Sequence, residues 1–328
     1  MDKSDDLYIA NEGGPNAVQE LTVDGSLRTV LNRRSEPIRS GHYYGLSLAM
    51  GTNGDLYMAV KYRGTVERVN ANGTPTIVAG RPGDLRLVDG PTANARLKAP
   101  NAIAIDGDII YVADTRTLRK ITPDGAITTM AGNPNAKSGS ADTYFHDGRG
   151  SRAIFMSPNG IAVDSHANLY VADGYDDSSE RQGQYIGLLR EVTPAGVVKT
   201  IAGNTFGTGD DADGVGTDAM FSYTSGVTRD PFNSEFYVSE PGGGDCGAIR
   251  KIDANRAVST IARSKCGYQT DIRSPSAIAT NAEGIVFVID DPEGFNGIGG
   301  PPEPQENWLH RIKDGKVETL CEMQHGGS

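Results

Sequence analysis

The sequence predicts an all-β fold, a six-bladed β-propeller with four-stranded antiparallel blades. Three observations carry this: a four-strand unit that recurs along the chain, turn residues that punctuate every unit, and 42 glycines among 328 residues of which 37% are hydrophobic. Such a composition suits many short strands and tight turns better than packed helices.

The clearest unit reads Asn101-Ala-Ile-Ala-Ile-Asp106, Ile110-Tyr-Val-Ala-Asp114, Leu118-Arg-Lys-Ile121 and Ala126-Ile-Thr-Thr-Met-Ala-Gly132. A second copy follows it position by position: Asn159-Gly-Ile-Ala-Val-Asp164, Leu169-Tyr-Val-Ala-Asp173, Leu188-Leu-Arg-Glu-Val192 and Val197-Val-Lys-Thr-Ile-Ala-Gly203. A third spans 226–262, and looser copies span 45–80 and 277–320. The N-terminal unit, 7–31, lacks a first strand and brings the total to six. Every run is short, rich in Val, Ile and Tyr, and bounded by Gly, Asp, Asn or Pro. Four-stranded units spaced by about 40 to 65 residues stack radially, and closing the ring protects their edges. One domain over 1–322 is expected, with 323–328 read as a vector-derived tail. The missing strand would be supplied by 1–5, by 322–328, or by chain absent from this sequence.

The segments Pro158-Asn-Gly-Ile-Ala-Val-Asp164, Leu169-Tyr-Val-Ala-Asp173 and Arg119-Lys-Ile-Thr-Pro-Asp-Gly125 resemble NHL repeats. The resemblance covers nearly the whole chain. Between blades, Asp89-Gly90 through Leu97, Asp147-Gly148 through Phe155 and Asp213-Gly214 through Phe221 repeat one motif. NHL-type and related six-bladed propellers include protein-binding modules, an amidating lyase, strictosidine synthase-like enzymes and gluconolactonases. The resemblance therefore implies a fold, and function has to be argued from the site.

A net charge of -11 opposes binding to nucleic acid or anionic membranes, and no run of about 18 apolar residues suggests membrane insertion. The chain is expected to be monomeric. Propeller topology puts the fourth-to-first and second-to-third connections on one face, the top. The long stretches fall there: 81–100, 133–157, 204–224, 174–187, 241–247 and 291–308, the last containing the single tryptophan, Trp308. Turns on the other face are short. Long loops in a compact fold are where sites concentrate.

The residue before each first strand marks the rim of the channel: Tyr44, Asn101, Asn159, Ser225 and Ser276. With Trp308 these are the candidate ligand-binding residues, for a small molecule, glycan or peptide. No cofactor is required by this reading. Resemblance to gluconolactonases implies divalent-metal ligands in the rim register, which Asn101 and Asn159 match, with calcium or zinc as the candidate ion. A hard cation wants carboxylates, and Ser225 and Ser276 stand where one is needed.

Second strands end in Asn11, Val60, Asp114, Asp173, Glu240 and Asp290. These acids recur with the repeat and are expected to accept loop N–H groups. Glu240 and Asp290 adjoin large insertions and are the candidate catalytic acids, together with His42 beside Tyr43 and Tyr44. His146 and His310 are read as scattered surface side chains on the top face. Cys246 and Cys266 flank one hairpin closely enough for a disulfide, which implies an oxidising periplasmic or extracellular setting; two free thiols are the alternative. The leading functional expectation is a ligand-binding propeller. A lyase, lactonase-like hydrolase or cyclase working at the same mouth is the alternative.

Overall fold

In a computed structural model the structure describes residues 1–2, 4–10, 16–32, 46–70, 73–136, 145–176, 185–205, 211–241, 247–264, 272–290 and 306–324. The strands form six antiparallel sheets, one per blade. Blade one holds β1 (Leu7–Ala10), β2 (Asn16–Leu21) and β3 (Leu27–Asn32). Blade two holds β4 (Leu46–Met50), β5 (Leu56–Val60), β6 (Thr65–Val69) and β7 (Pro75–Gly80), and blade three β8 (Pro100–Asp106), β9 (Ile109–Asp114), β10 (Thr117–Ile121) and β11 (Ile127–Ala131). Blade four comprises β12 (Gly148–Arg149), β13 (Pro158–Val163), β14 (Leu169–Asp176), β15 (Tyr185–Val192) and β16 (Val197–Ala202). Blade five comprises β17 (Gly214–Val215), β18 (Val227–Arg229), β19 (Phe236–Glu240), β20 (Ala248–Ile252) and β21 (Ala257–Arg263). Blade six holds β22 (Pro275–Thr280), β23 (Val286–Asp290), β24 (Glu306–Lys313) and β25 (Lys316–Gln324).

First strands neighbour one another around the channel: β4 beside β8, β8 beside β13, β13 beside β18 and β18 beside β22. Among the described residues, blade one has three strands and no first strand, as the sequence suggests. The ring still closes. Leu7 and Ile9 of blade one bury against Leu309 of blade six, and Val18 and Leu31 bury against Leu56 and Met58 of blade two. The described residues before β1 (1–2 and 4–6) form no strand, with Asp2 accepting the Ser4 and Asp6 N–H groups.

The interblade stretches are not free loops. β12 and β17, which begin at the Asp-Gly motif, pair with the outer strands β16 and β21 and give blades four and five a fifth strand. In blade three the same motif makes a single bridge from Gly90 to Ile127. The chain thus leaves one blade, runs along the outer edge of the next, and only then enters its innermost strand. That covers an edge otherwise open to pairing.

The blade-four insertion is shorter than its sequence suggests, because β14 and β15 continue their ladder through Gly174–Gly187 and Tyr175–Ile186 to Asp176–Tyr185. Glycine is required on both strands at the first rung of that extension. A Cβ on Gly174 would lie 2.6 Å from the Thr224 carbonyl oxygen, and one on Gly187 2.8 Å from the Phe221 Cβ. No helix among the described residues is long and apolar enough to cross a membrane.

Candidate functional site

The rim is built by a local irregularity. β8, β13 and β22 each carry a register shift just after their first residue, so Asn101, Asn159 and Ser276 are the extra, unpaired residues of β-bulges. A bulge of this kind re-aims a side chain without breaking the strand. Asn159 donates from Nδ2 to Tyr223 Oη at 2.7 Å and to the Thr224 carbonyl at 3.4 Å, and its Oδ1 accepts the Ser157 hydroxyl at 2.9 Å. Ser239 donates to the Ser276 carbonyl at 3.0 Å and accepts the Gly226 N–H at 2.8 Å.

These bonds draw three of the sequence-predicted rim residues, Asn159, Ser225 and Ser276, into one arc. Glycines let the inner strands close up: a Cβ on Gly160 would stand 2.7 Å from the Ser225 carbonyl oxygen. Asn101 belongs to the neighbouring strand β8. Its Oδ1 is buried with no hydrogen-bond partner among the described residues. A buried acceptor left unpaired costs about 1–3 kcal/mol, so a ligand that donates to it recovers a penalty already present.

The acids ending the second strands lie deeper. Asp114 accepts the Lys98 and Ala99 N–H groups, Asp173 those of Met156 and Ser157, and Asp290 those of Arg273 and Ser274. In blades three to five each acid also meets a fully buried arginine from the third strand, at 3.2 Å for Arg119–Asp114, 3.1 Å for Arg190–Asp173 and 3.1 Å for Arg250–Glu240. The same arginines reach the interblade aspartates, Asp89 at 2.5 Å, Asp147 at 2.8 Å and Asp213 at 2.9 Å. Phe155 and Phe221, which end two of the interblade motifs, lie 5.3 and 5.2 Å beneath Arg190 and Arg250. The repeated Asp-Gly to Phe motif is thus the other half of an arginine clamp between blades.

Burial pushes Asp173 up to about 6 against the pull of Arg190. Burial pushes Glu240 further, to about 8, and nearby Asp211 adds to the shift. Where Asp173 has two backbone donors, Glu240, with its longer side chain, has as hydrogen-bond partners among the described residues Ser222 and Arg250. Glu240 and Asp290 are both 0% exposed. They stand in the clamp layer, not on the rim.

His310 corrects the surface reading given to it from sequence. It is 2% exposed, in the slot that arginine fills in blades three to five, with Nδ1 3.1 Å from Thr319 Oγ1 and Nε2 3.6 Å from Asp290. The bulge between Leu309 and His310 turns it into the blade. Trp308 is half-buried beneath the Arg273 guanidinium at 5.4 Å. His42, Tyr44, Asn11, Cys246 and Cys266, and the insertion at 291–305, lie outside the described residues. Cys321 is a free thiol.

The rim donor set does not fit a hard divalent cation. It offers two amide oxygens, one already accepting from Ser157, and two serine hydroxyls, with no carboxylate among the described rim residues. Among the described residues, Asp2, Asp6 and Glu20 alone approach as a cluster of acids. Their oxygens accept from Ser4, Tyr8, Val23 and Arg28, which accounts for the grouping.

Fold and rim together define a closed six-bladed propeller whose described rim residues are polar and uncharged. No known family's profile matches the chain. It is 26% identical over 275 residues to Teneurin-m of Drosophila melanogaster, covering 77% of this chain and 10% of that protein. It is 22% identical over 324 residues to Teneurin-1 of Gallus gallus, covering 88% and 11%. The chain therefore spans about a tenth of the length of these relatives. Similar solved structures are a virginiamycin B lyase from Staphylococcus aureus (TM-score 0.54, 14% identity, 97% of this chain and 81% of that one) and a gluconolactonase from Xanthomonas campestris (0.53, 14%, 85% and 77%). An auxiliary nutrient binding protein from Bacteroides thetaiotaomicron is similar at a TM-score of 0.52, with 16% identity over 80% of this chain and 57% of that one. At these identities the likeness shows a shared fold alone.

Proposed function

We propose that this chain is a ligand-binding propeller of NHL type whose channel mouth takes an uncharged polar molecule, a sugar or a short peptide segment, through Asn101, Asn159, Ser225 and Ser276. The observation that carries the proposal is the unpartnered, buried Oδ1 of Asn101 beside an arc of ordered hydroxyl and amide groups. A neutral donor such as a sugar hydroxyl or a peptide N–H complements that acceptor. Tyr44 and Trp308 are assigned to the same mouth on the sequence register. The enzyme reading has to draw its acid or base from His42, since Glu240 and Asp290 are enclosed in the clamp layer.

The test is a thermal-shift panel of neutral mono- and disaccharides and short uncharged peptides, followed by calorimetry on any hit. Asn101→Ala is expected to weaken the hit by about tenfold, the value of one hydrogen bond, while leaving the ligand-free melting temperature unchanged or higher. An unaltered affinity in Asn101→Ala and in Asn159→Ala would remove the site.

A further inference from the structure

The described rim residues are uncharged, but the top of blades two and three beside them is not. A short 3-10 turn, Lys61–Arg63, follows β5 and carries Lys61, Tyr62 and Arg63. It is packed onto the interblade stretch: Gly83 N–H donates to the Arg63 carbonyl at 3.1 Å, and a Cβ on Gly64 would stand 2.5 Å from the Leu97 carbonyl oxygen and 2.9 Å from Leu85 Cδ2. Thr115 N–H donates to the Ala99 carbonyl at 3.3 Å, which brings Arg116 beside Lys98. Six exposed or half-buried cations therefore gather here, Lys61, Arg63, Arg81, Arg86, Lys98 and Arg116, while Arg96 is buried.

The carboxylates that accompany them are already engaged. Asp84 is shared by Arg86 and Arg96, each at 2.7 Å, and these hold it well below the usual carboxylate range. Glu67 meets Arg63 at 3.4 Å and is buried, while Asp89 and Asp114 are taken by Arg119. Lys61, Arg81, Lys98 and Arg116 have no carboxylate partner among the described residues. Tyr62, 54% exposed, and Leu85, 42% exposed, lie among them. Cations with no carboxylate partner among the described residues, of which Arg116 donates to the Ala136 carbonyl at 2.7 Å, are interleaved with exposed apolar groups and, on a protein of net charge -11, form a local reversal of field.

We infer that this face of blades two and three docks a short acidic peptide segment of a partner protein, its carboxylates on Lys61, Arg81, Lys98 and Arg116 and an apolar side chain against Tyr62 and Leu85. Clusters of basic side chains recognise acidic motifs in this way. The field of the remaining chain argues for a short segment over an extended polyanion. Screening at physiological salt acts over about 8 Å, so a polymer or anionic bilayer reaching past the patch meets the acidic remainder, whereas a short peptide stays within the reversal.

The probe is a fluorescein-labelled peptide of roughly ten residues, Glu and Asp with two leucines, followed by anisotropy against the full chain. It is expected to bind, to weaken as salt rises, and to lose about tenfold in affinity in the double variant Arg81→Glu/Lys98→Glu and several-fold in Tyr62→Ala. The charge reversal Lys199→Glu, on the exposed outer strand of blade four, and a Gln/Asn version of the peptide serve as controls, the first binding normally and the second not at all. Equal binding by wild type and double variant, or no binding by either, overturns the inference. So does tighter binding of a sulfated glycan or of anionic vesicles than of the peptide. The substituted side chains Tyr62, Arg81, Lys98 and Lys199 are all exposed, and unchanged circular dichroism of each variant establishes that the fold survives.

Discussion

Blades three to five differ from blades six, one and two in the residue held at one register position. All six have a bulge at the same place between the third and fourth strands, before Arg119, Arg190 and Arg250 in one group and before His310, Gln19 and Glu67 in the other. Arginine fills the slot only where two carboxylates await it, one ending the second strand and one from the interblade Asp-Gly motif. Blade two has Val60 where the acid would be, and its slot holds Glu67, with the charge reversed and Arg63 and Thr65 as partners. Blade six keeps Asp290, has no Asp-Gly motif in the sequence before its first strand, and its slot holds a histidine. The backbone device is general to the repeat. The charge placed on it is matched blade by blade, because a buried ion without its counter-charges is costly.

The largest effect should follow from breaking a clamp. Arg190→Met leaves Asp173 and Asp147 facing one another in the space between blades, and a loss of about 3–5 kcal/mol is expected in urea unfolding. Combining it with Asp173→Asn should recover part of that loss, since the amide oxygen still accepts the Met156 and Ser157 N–H groups while no buried charge is left unpaired. A single variant as stable as wild type would show that the clamp is incidental to the ring.

Glu240 sharpens the comparison within the arginine group. Its carboxyl is raised to about 8 in the fold, so the folded state holds the proton more tightly than the unfolded chain does. The stability this supplies is present in full below the ordinary glutamate range, near 4.5, and is lost as pH rises through about 8. Between those limits stability should fall by up to about 1.4 kcal/mol per pH unit from this group. Asp173, raised to about 6, should contribute in the same direction over a window that ends two units lower. Glu240→Gln should flatten the upper part of the pH–stability curve, and Asp173→Asn only the lower part. Overlapping curves for wild type and Glu240→Gln between pH 6 and pH 8 would contradict the assignment.

Much of this was legible in the sequence. The repeat placed nearly every strand, and the recurrence of Asp114 and Asp173 with it pointed to acids that accept loop N–H groups, as they do. The clamp was not legible, although both halves were visible as Leu-Arg or Ile-Arg in the third strands and Asp-Gly between blades. In an unbroken strand, Arg119 beside the buried Leu118 would face the opposite way and reach solvent. The bulge between the two turns both inward, and a bulge leaves no residue signature of its own. His310 was misplaced for the same reason. The rim asparagines were found because their position before the first strand is topological. The loss of a partner for Asn101 Oδ1 depends on side-chain packing that no spacing reveals.

The smallest effect is expected at the histidine slot. Asp290 already accepts two backbone N–H groups, and the Nε2 of His310 has no hydrogen-bond partner at its 3.6 Å separation from that carboxylate. His310→Gln therefore removes the Nδ1 contact with Thr319 and some packing against Trp308, but strands no charge. A cost of about 1 kcal/mol is expected, well below that of Arg190→Met. His310→Arg asks the converse question. With one carboxylate in place of two, an arginine here is expected to be less stable than the histidine, and its melting temperature should lie below wild type. If His310→Arg were the more stable protein, a single acid would suffice to hold a buried arginine, and the matching of charge to blade would rest on something other than the second carboxylate.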